Sequence, residues 1–227
     1  RSLPEPLLDK SLTRYHILVN GAQVYDSFED KTLLREELTP QQAMCMLHFL
    51  KSRNVLRGVY IDGLGHMSRE DFSEIEAVAA TPATAALMRR SYQTDEDLDA
   101  VTAQHDSVQK IIAFFRNPDD KQATIREITA RFPGYAVSSS LGNNIEINAQ
   151  NATKGSALCF LCEKIGIPIG QCMAFGDGTN DYSMLRAAGF GVAMGNASEE
   201  VQSCADAVTE TNEEDGVARM IERVLGL

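Results

Sequence analysis

No apolar run in this chain approaches the roughly 20 residues that a membrane-spanning helix needs, so a helical membrane protein is excluded. The opening RSLPEPLLDK has neither a continuous apolar stretch nor a small-residue cleavage site, and does not read as a signal peptide. Basic clusters are no longer than pairs such as Arg89 and Arg90, and the formal net charge is −11. A nucleic-acid surface needs a basic stripe, so nucleic acid is excluded as a partner. A small anionic substrate is still allowed, provided the few positive charges converge at one place. Cysteine is sparse and odd in number: Cys45, Cys159, Cys162, Cys172 and Cys204. Cys159 and Cys162 form a CxxC inside a helical pattern, with no second pair to complete a zinc site. The expectation is therefore buried free thiols in a reducing cytosol, hence a cytoplasmic protein. The sequons NAT at 151 and NAS at 196 have meaning only in a secreted protein. No repeat of solenoid type is visible.

With 227 residues, 44% hydrophobic and 23% charged, the chain can bury one large core or two modest ones. Residues 15–25, YHILVNGAQVY, read as two short strands joined at Asn20-Gly21, a strong hairpin dipeptide. Thr39 as N-cap and Pro40 at the first helical position start a helix over TPQQAMCMLHFLKSRN. VLRGVYIDGLGHMS reads as a hairpin, with Asp62 and His66 flanking its turn as candidate substrate-facing residues. His66 weighs more heavily as a solvent-exposed turn histidine. Residues 69–108 are mixed, with the acidic TDEDLDA on a solvated face. KIIAFF is an apolar strand, DDKQATIREITARF an amphipathic helix, and YAVSSS and NIEINA paired strands. This middle region implies an α+β unit with an open antiparallel sheet. From Thr153 onward, strands alternate with helices, implying a parallel sheet covered on both faces. In such sheets ligands bind outside the carboxyl ends of the strands.

One such end carries MAFGDGTNDYSML at 173–185. Asp177, Asn180 and Asp181 offer the hard oxygens that Mg²⁺ prefers, and Gly176 and Gly178 let the backbone turn sharply. An Asx-type turn capping the next helix is nearly as good an account. An EF-hand is excluded, because Thr179 and Ala188 occupy ligand positions. Lys154 begins the helix KGSALCFLCEKI, where the dipole disfavours a cation. A bound anion at that N-terminus explains the placement, as does an exposed lysine tolerating a small cost. ATKGS is not a P-loop, since it lacks the earlier glycine.

Together NGAQVYD at 20–26, NATKGSAL at 151–158 and FGDGTNDYSMLRAAGFGVAMGNAS at 175–198 resemble the haloacid-dehalogenase-like phosphatases, in their Cof-type branch with a large α/β cap. The closing ADAVTETNEEDGVARMIERVL is similar to that family's C-terminal end. The resemblance implies an α/β fold, a Rossmann-like parallel-sheet core with an inserted α+β cap domain. It divides the chain into core 1–26, cap 27–147 and core 148–227. It also implies a Mg²⁺-dependent hydrolase of a small phosphorylated metabolite, a sugar phosphate being favoured, acting through an aspartyl-phosphate. Asp177 then holds Mg²⁺ with Asp181 in support, and Asn180 contacts phosphate. Lys154 neutralises phosphoryl oxygens, and Asn20 and Arg1 are further phosphate contacts.

The family's first motif, DxDGT, which carries the nucleophile, does not occur in these 227 residues. The expectation is a chain lacking its first strand–helix unit and therefore inactive as it stands. A phosphomutase and a non-catalytic phospholigand-binding module are the alternatives. Ion pumps sharing GDGxND are excluded for want of membrane helices.

Overall fold

A computed structural model describes residues 13–227, which leaves Arg1 outside. The chain forms two compact units, one ending at Ala152 and the other spanning Thr153–Leu227.

The first unit opens with β1 (Tyr15–Leu18), β2 (Gln23–Asp26) and β3 (Lys31–Arg35), an antiparallel sheet in which Tyr15 faces Asp26 across the expected hairpin. Then follow α1 (Pro40–Lys51), β4 (Val55–Ile61), β5 (Leu64–Ser68), α2 (Arg69–Ser73), α3 (Pro82–Ser91), β6 (Tyr92–Asp95), α4 (Leu98–Ala103) and β7 (Lys110–Phe115). The unit closes with α5 (Asp120–Arg131), β8 (Tyr135–Ser138) and β9 (Asn144–Ala149). Six strands make one sheet in the order β6-β5-β4-β7-β9-β8, antiparallel except for the edge pair β5–β6.

Thr39 starts α1 through a capping box with Gln42, and Pro40 takes the first turn, where its missing N–H is harmless. Ala43, Met46, Leu47 and Leu50, at i, i+3, i+4 and i+7, form its buried stripe. The apolar run of β7 also has a physical reason. Ile111, Ala113 and Phe115 pack with α1, while Ile112 and Phe114 pack with Ala85 and Met88 of α3. The sheet is therefore covered on both faces, and successive side chains of β7 enter different cores. The five thiols do not share one environment: Cys162 is buried, whereas Cys45 and Cys159 are exposed on helix positions away from the cores. That corrects the expectation of uniformly buried cysteines.

A buried polar cluster ties the first hairpin to the six-stranded sheet. Val19, Asn20 and Gly21 all have positive φ (50°, 60° and 99°), and Val19 is β-branched, so this turn is strained. Asn20 Nδ2 donates to Glu146 Oε2 at 2.7 Å and Asn148 Oδ1 at 3.3 Å, while Asn148 Nδ2 donates to the Val19 carbonyl at 3.2 Å. Lys110 Nζ lies 2.7 Å from Glu146 Oε1. Burial pushes the Glu146 carboxyl upward, but the Lys110 charge and the donors from Asn20 and Lys110 outweigh it, leaving the group below its ordinary value. A depressed folded value means stability present above the unfolded value and lost as pH falls through the folded one. Denaturation of the native chain should therefore show an acid-side loss of stability below about pH 4.5 that Glu146→Gln reduces. Identical pH profiles for the two proteins would contradict this charge assignment.

The second unit holds α6 (Lys154–Ile165), β10 (Met173–Gly176), α7 (Tyr182–Ala187), β11 (Phe190–Ala193), α8 (Glu199–Gln202), β12 (Ala207–Val208) and α9 (Gly216–Leu225). Strands β10, β11 and β12 are parallel, as the alternation of strands and helices implies. No helix among the described residues is long and apolar enough to cross a membrane.

Candidate active site

The second unit builds its site where β10 ends. Beyond Gly176 the chain turns through Asp177 and Gly178 into a 3-10 turn, Thr179–Asp181, that leads directly into α7. Asp181 points back under this turn and is 4% exposed. Its Oδ2 accepts from the backbone N–H groups of Asp177 (3.0 Å) and Gly178 (3.1 Å). Its Oδ1 meets Lys154 Nζ at 2.5 Å. A Cβ on Gly176 would lie 2.4 Å from the Asp181 Cβ, so only glycine leaves room for this arrangement.

Lys154 reaches Asp181 because α6 starts beside the same turn. Thr153 caps α6 by accepting from Ser156 N–H, and Gly155 N–H donates to Ser183 Oγ at 3.0 Å. A Cβ on Gly155 would stand 2.3 Å from the Ser183 carbonyl oxygen, so the close approach requires glycine. The dipole cost of a lysine at this end is offset by a buried carboxylate within hydrogen-bond reach.

Asp177, by contrast, is exposed, and its Oδ2 accepts from Asn196 Nδ2 at 3.1 Å. Asn196 is itself fixed, its Oδ1 accepting from Asn212 N–H. Sequence reasoning did not select Asn196. Its signal was its place in MGNAS, 19 residues from Asp177 and readable only through the resemblance. Asn180 lies over the same loop, where its Oδ1 would be 2.7 Å from a Cβ on Gly178.

Among the described residues no three His, Cys, Asp or Glu side chains are grouped to hold a metal ion. The donor set still fits Mg²⁺, which takes one or two carboxylates and keeps several waters. Asp177 offers the exposed carboxylate, while both oxygens of Asp181 already serve the loop and Lys154.

The other candidates lie in the first unit. Asn20 directs its amide donors at Glu146 and Asn148. Asp62 occupies the β4–β5 turn at φ 49°, with its Oδ2 3.4 Å from His105 Nδ1. The expectation of an exposed turn histidine fails for His66. It lies on β5 at 8% exposure, with Nδ1 2.9 Å from Asp95 Oδ2. Strand β6, which the sequence did not announce, pairs with β5 and covers it.

A parallel α/β unit with an acidic loop at the carboxyl end of β10, met by a helix-borne lysine, places these side chains where open α/β sheets take their ligands. The family model for haloacid dehalogenase-like hydrolases matches residues 4–221, and the chain belongs to that family. The resemblance drawn from the motifs to the haloacid-dehalogenase-like family is borne out, as is the α/β fold class. The phosphatase YwpJ of Bacillus subtilis is 52% identical over 87 residues, 38% of this chain and 30% of that protein. The 5-amino-6-(5-phospho-D-ribitylamino)uracil phosphatase YcsE of the same organism is 42% identical over 103 residues, 45% of this chain and 41% of that one. These matches span well under half of either relative. A haloacid dehalogenase-like hydrolase structure from B. subtilis superposes with a TM-score of 0.80 at 29% identity, covering 96% of this chain and 81% of that one. A subclass IIB sugar phosphatase shares the fold, with a TM-score of 0.77 at 21% identity over 96% of this chain and 78% of that one.

The partner of Lys154 is a carboxylate almost closed to water. Lys154→Met should lower the unfolding free energy by about 1–3 kcal/mol. A double-mutant cycle with Asp181→Asn should return a coupling of at least about 0.5 kcal/mol. Additive losses in denaturant titrations would mean that the pair does not act as a unit.

Proposed function

We propose that this chain forms part of a Mg²⁺-dependent phosphatase acting on a small phosphorylated metabolite. The observation carrying this reading is the division of labour in the β10 loop: Asp181 holds the backbone and Lys154, and Asp177 is turned outward. In this reading Asp177 holds Mg²⁺, with Asp181 supporting it through the loop. Lys154 and Asn180 meet the phosphoryl oxygens. Bound Mg²⁺ supplies charge neutralisation to a reaction that is mostly positioning and electrostatic stabilisation. Asn20 and Arg1 are further phosphate contacts in this reading, and Asn20 must release a donor now held by Glu146 or Asn148 to serve. The core and cap division at 26/27 and 147/148, and substrate selection by Asp62 and His66, belong to the same proposal.

The phosphatase names of the curated relatives support the reaction class. The phosphoribityl substrate in the name of YcsE supports a phosphorylated polyol or sugar as substrate. Cytoplasmic location is part of the reading. An aspartyl-phosphate route needs an attacking carboxylate from a DxDGT strand, because a covalent intermediate divides the hydrolysis into two steps.

Steady-state release of phosphate from an aryl phosphate tests the proposal. A protein that joins a DxDGT strand to this chain should turn over with Mg²⁺, and the 227 residues alone should not. In the longer protein, Asp177→Asn should weaken Mg²⁺ binding at least about 10-fold by calorimetry, the effect seen when even outer-shell partners of a metal are lost. Unchanged Mg²⁺ affinity would remove Asp177 from the site. Equal turnover by the short chain would place the nucleophile within it.

A further inference from the structure

We propose that Cys162 and Cys172 form a site of reversible thiol oxidation, closing to a disulfide on reaction with a hydroperoxide. Their sulfur atoms stand 3.2 Å apart, although ten residues separate them in the chain. A disulfide needs about 2.05 Å between the sulfurs, so closure requires a movement of only about 1.1 Å. Both backbones are pinned near this geometry. The Cys162 carbonyl accepts from Ile167 N–H at 3.0 Å, just past the left-handed Gly166 that ends α6. The Cys172 carbonyl accepts from Phe190 N–H at 3.1 Å, which joins it to the start of β11.

The two thiols are unequal in a way that orders the chemistry. Cys172 is partly exposed and can meet an oxidant, whereas Cys162 is buried. Burial, with Cys172 as its neighbour, pushes the Cys162 thiol up to about 11, so it is a poor first nucleophile. The Cys172 thiolate attacks one oxygen of the hydroperoxide, the O–O bond breaks, and the alcohol or water leaves. Cys172 becomes a sulfenic acid. The Cys162 sulfur then attacks the Cys172 sulfur, and its proton leaves with the displaced hydroxide as water. Two thiols are oxidised by two electrons and one hydroperoxide is reduced, so the step balances without any other reactant.

The bond would fasten the last turn of α6 to the residue before β10. Those elements carry Lys154 at the opposite end of the helix and Asp177 just beyond the strand. The loop closed is short, and its entropy is removed from the unfolded chain, so the oxidised form should be the more heat-stable one.

The test treats the full chain with a slight excess of hydrogen peroxide, removes the peroxide, and measures intact mass, titratable thiols and melting temperature. The expected result is a loss of two hydrogens (about 2 Da), a fall in thiols from the five of the sequence to three, and a raised melting temperature. Dithiothreitol should reverse all three. Trypsin cuts after Lys164, between the two cysteines, so the oxidised protein should yield a linked peptide pair that reductant separates. Cys159 shares a tryptic peptide with Cys162, so Cys159→Ser is used to assign the bond and should still form it. Cys172→Ser should not. A gain of oxygen mass without a linked pair, or loss of the bond in Cys159→Ser, would overturn the proposal. Because none of these readouts involves phosphate or Mg²⁺, failure here leaves the phosphatase reading to its own test.

Discussion

A single carboxylate organises the second unit. Asp181 takes two backbone N–H groups through one oxygen and the Lys154 ammonium through the other, and it does so at 4% exposure. A buried carboxylate must be paired or it neutralises, so this position dictates what can surround it. Gly176 has to be glycine to admit it, Lys154 has to start a helix beside it, and Gly155 has to be glycine for that helix to come close. The loop after β10 is consequently held from inside. The cost of turning it sharply at the end of a parallel strand is met by contacts that leave Asp177 facing outward.

Two accounts of the acidic loop were legible in the sequence, a metal site and, only slightly behind it, a turn cap. The structure gives each aspartate a different place in that choice. Asp181 performs the turn-capping task, while Asp177 has the exposure that a Mg²⁺ ligand needs. Lys154 resolves in the same manner. An anion at the helix N-terminus and a plain exposed lysine were the two readings, and a buried carboxylate from the neighbouring turn fills the first role within the chain itself. A phosphate in this site would share Lys154 with Asp181 rather than find it idle.

Elements carrying their own signals were readable: Thr39-Pro40 for α1, Asn20-Gly21 for the first hairpin, and strand–helix alternation for the parallel sheet. Those held by their neighbours were not. β12 is two residues long and exists because Ala207 and Val208 pair with β11. β6 is a polar edge strand, and its absence from the sequence reading left His66 looking exposed. Glu146 and Lys110 were invisible for a similar reason. A charged residue within an apolar strand reads as solvent-facing until the partner that neutralises it, 36 residues away, is known. Asn196 is the corresponding case in the second unit, since nothing local to MGNAS points to Asp177.

The proposed function depends on Asp177 and Lys154 converging on one site for a divalent cation and a phosphate. A crystal structure grown with Mn²⁺ and inorganic phosphate tests it most directly, because Mn²⁺ replaces Mg²⁺ on oxygen ligands and scatters anomalously. The account requires an anomalous peak at coordinating distance from the Asp177 carboxylate, with phosphate within hydrogen-bond reach of Lys154 and Asn180. A peak elsewhere, or Asp177 still held by Asn196 with no metal at saturating Mn²⁺, would contradict it.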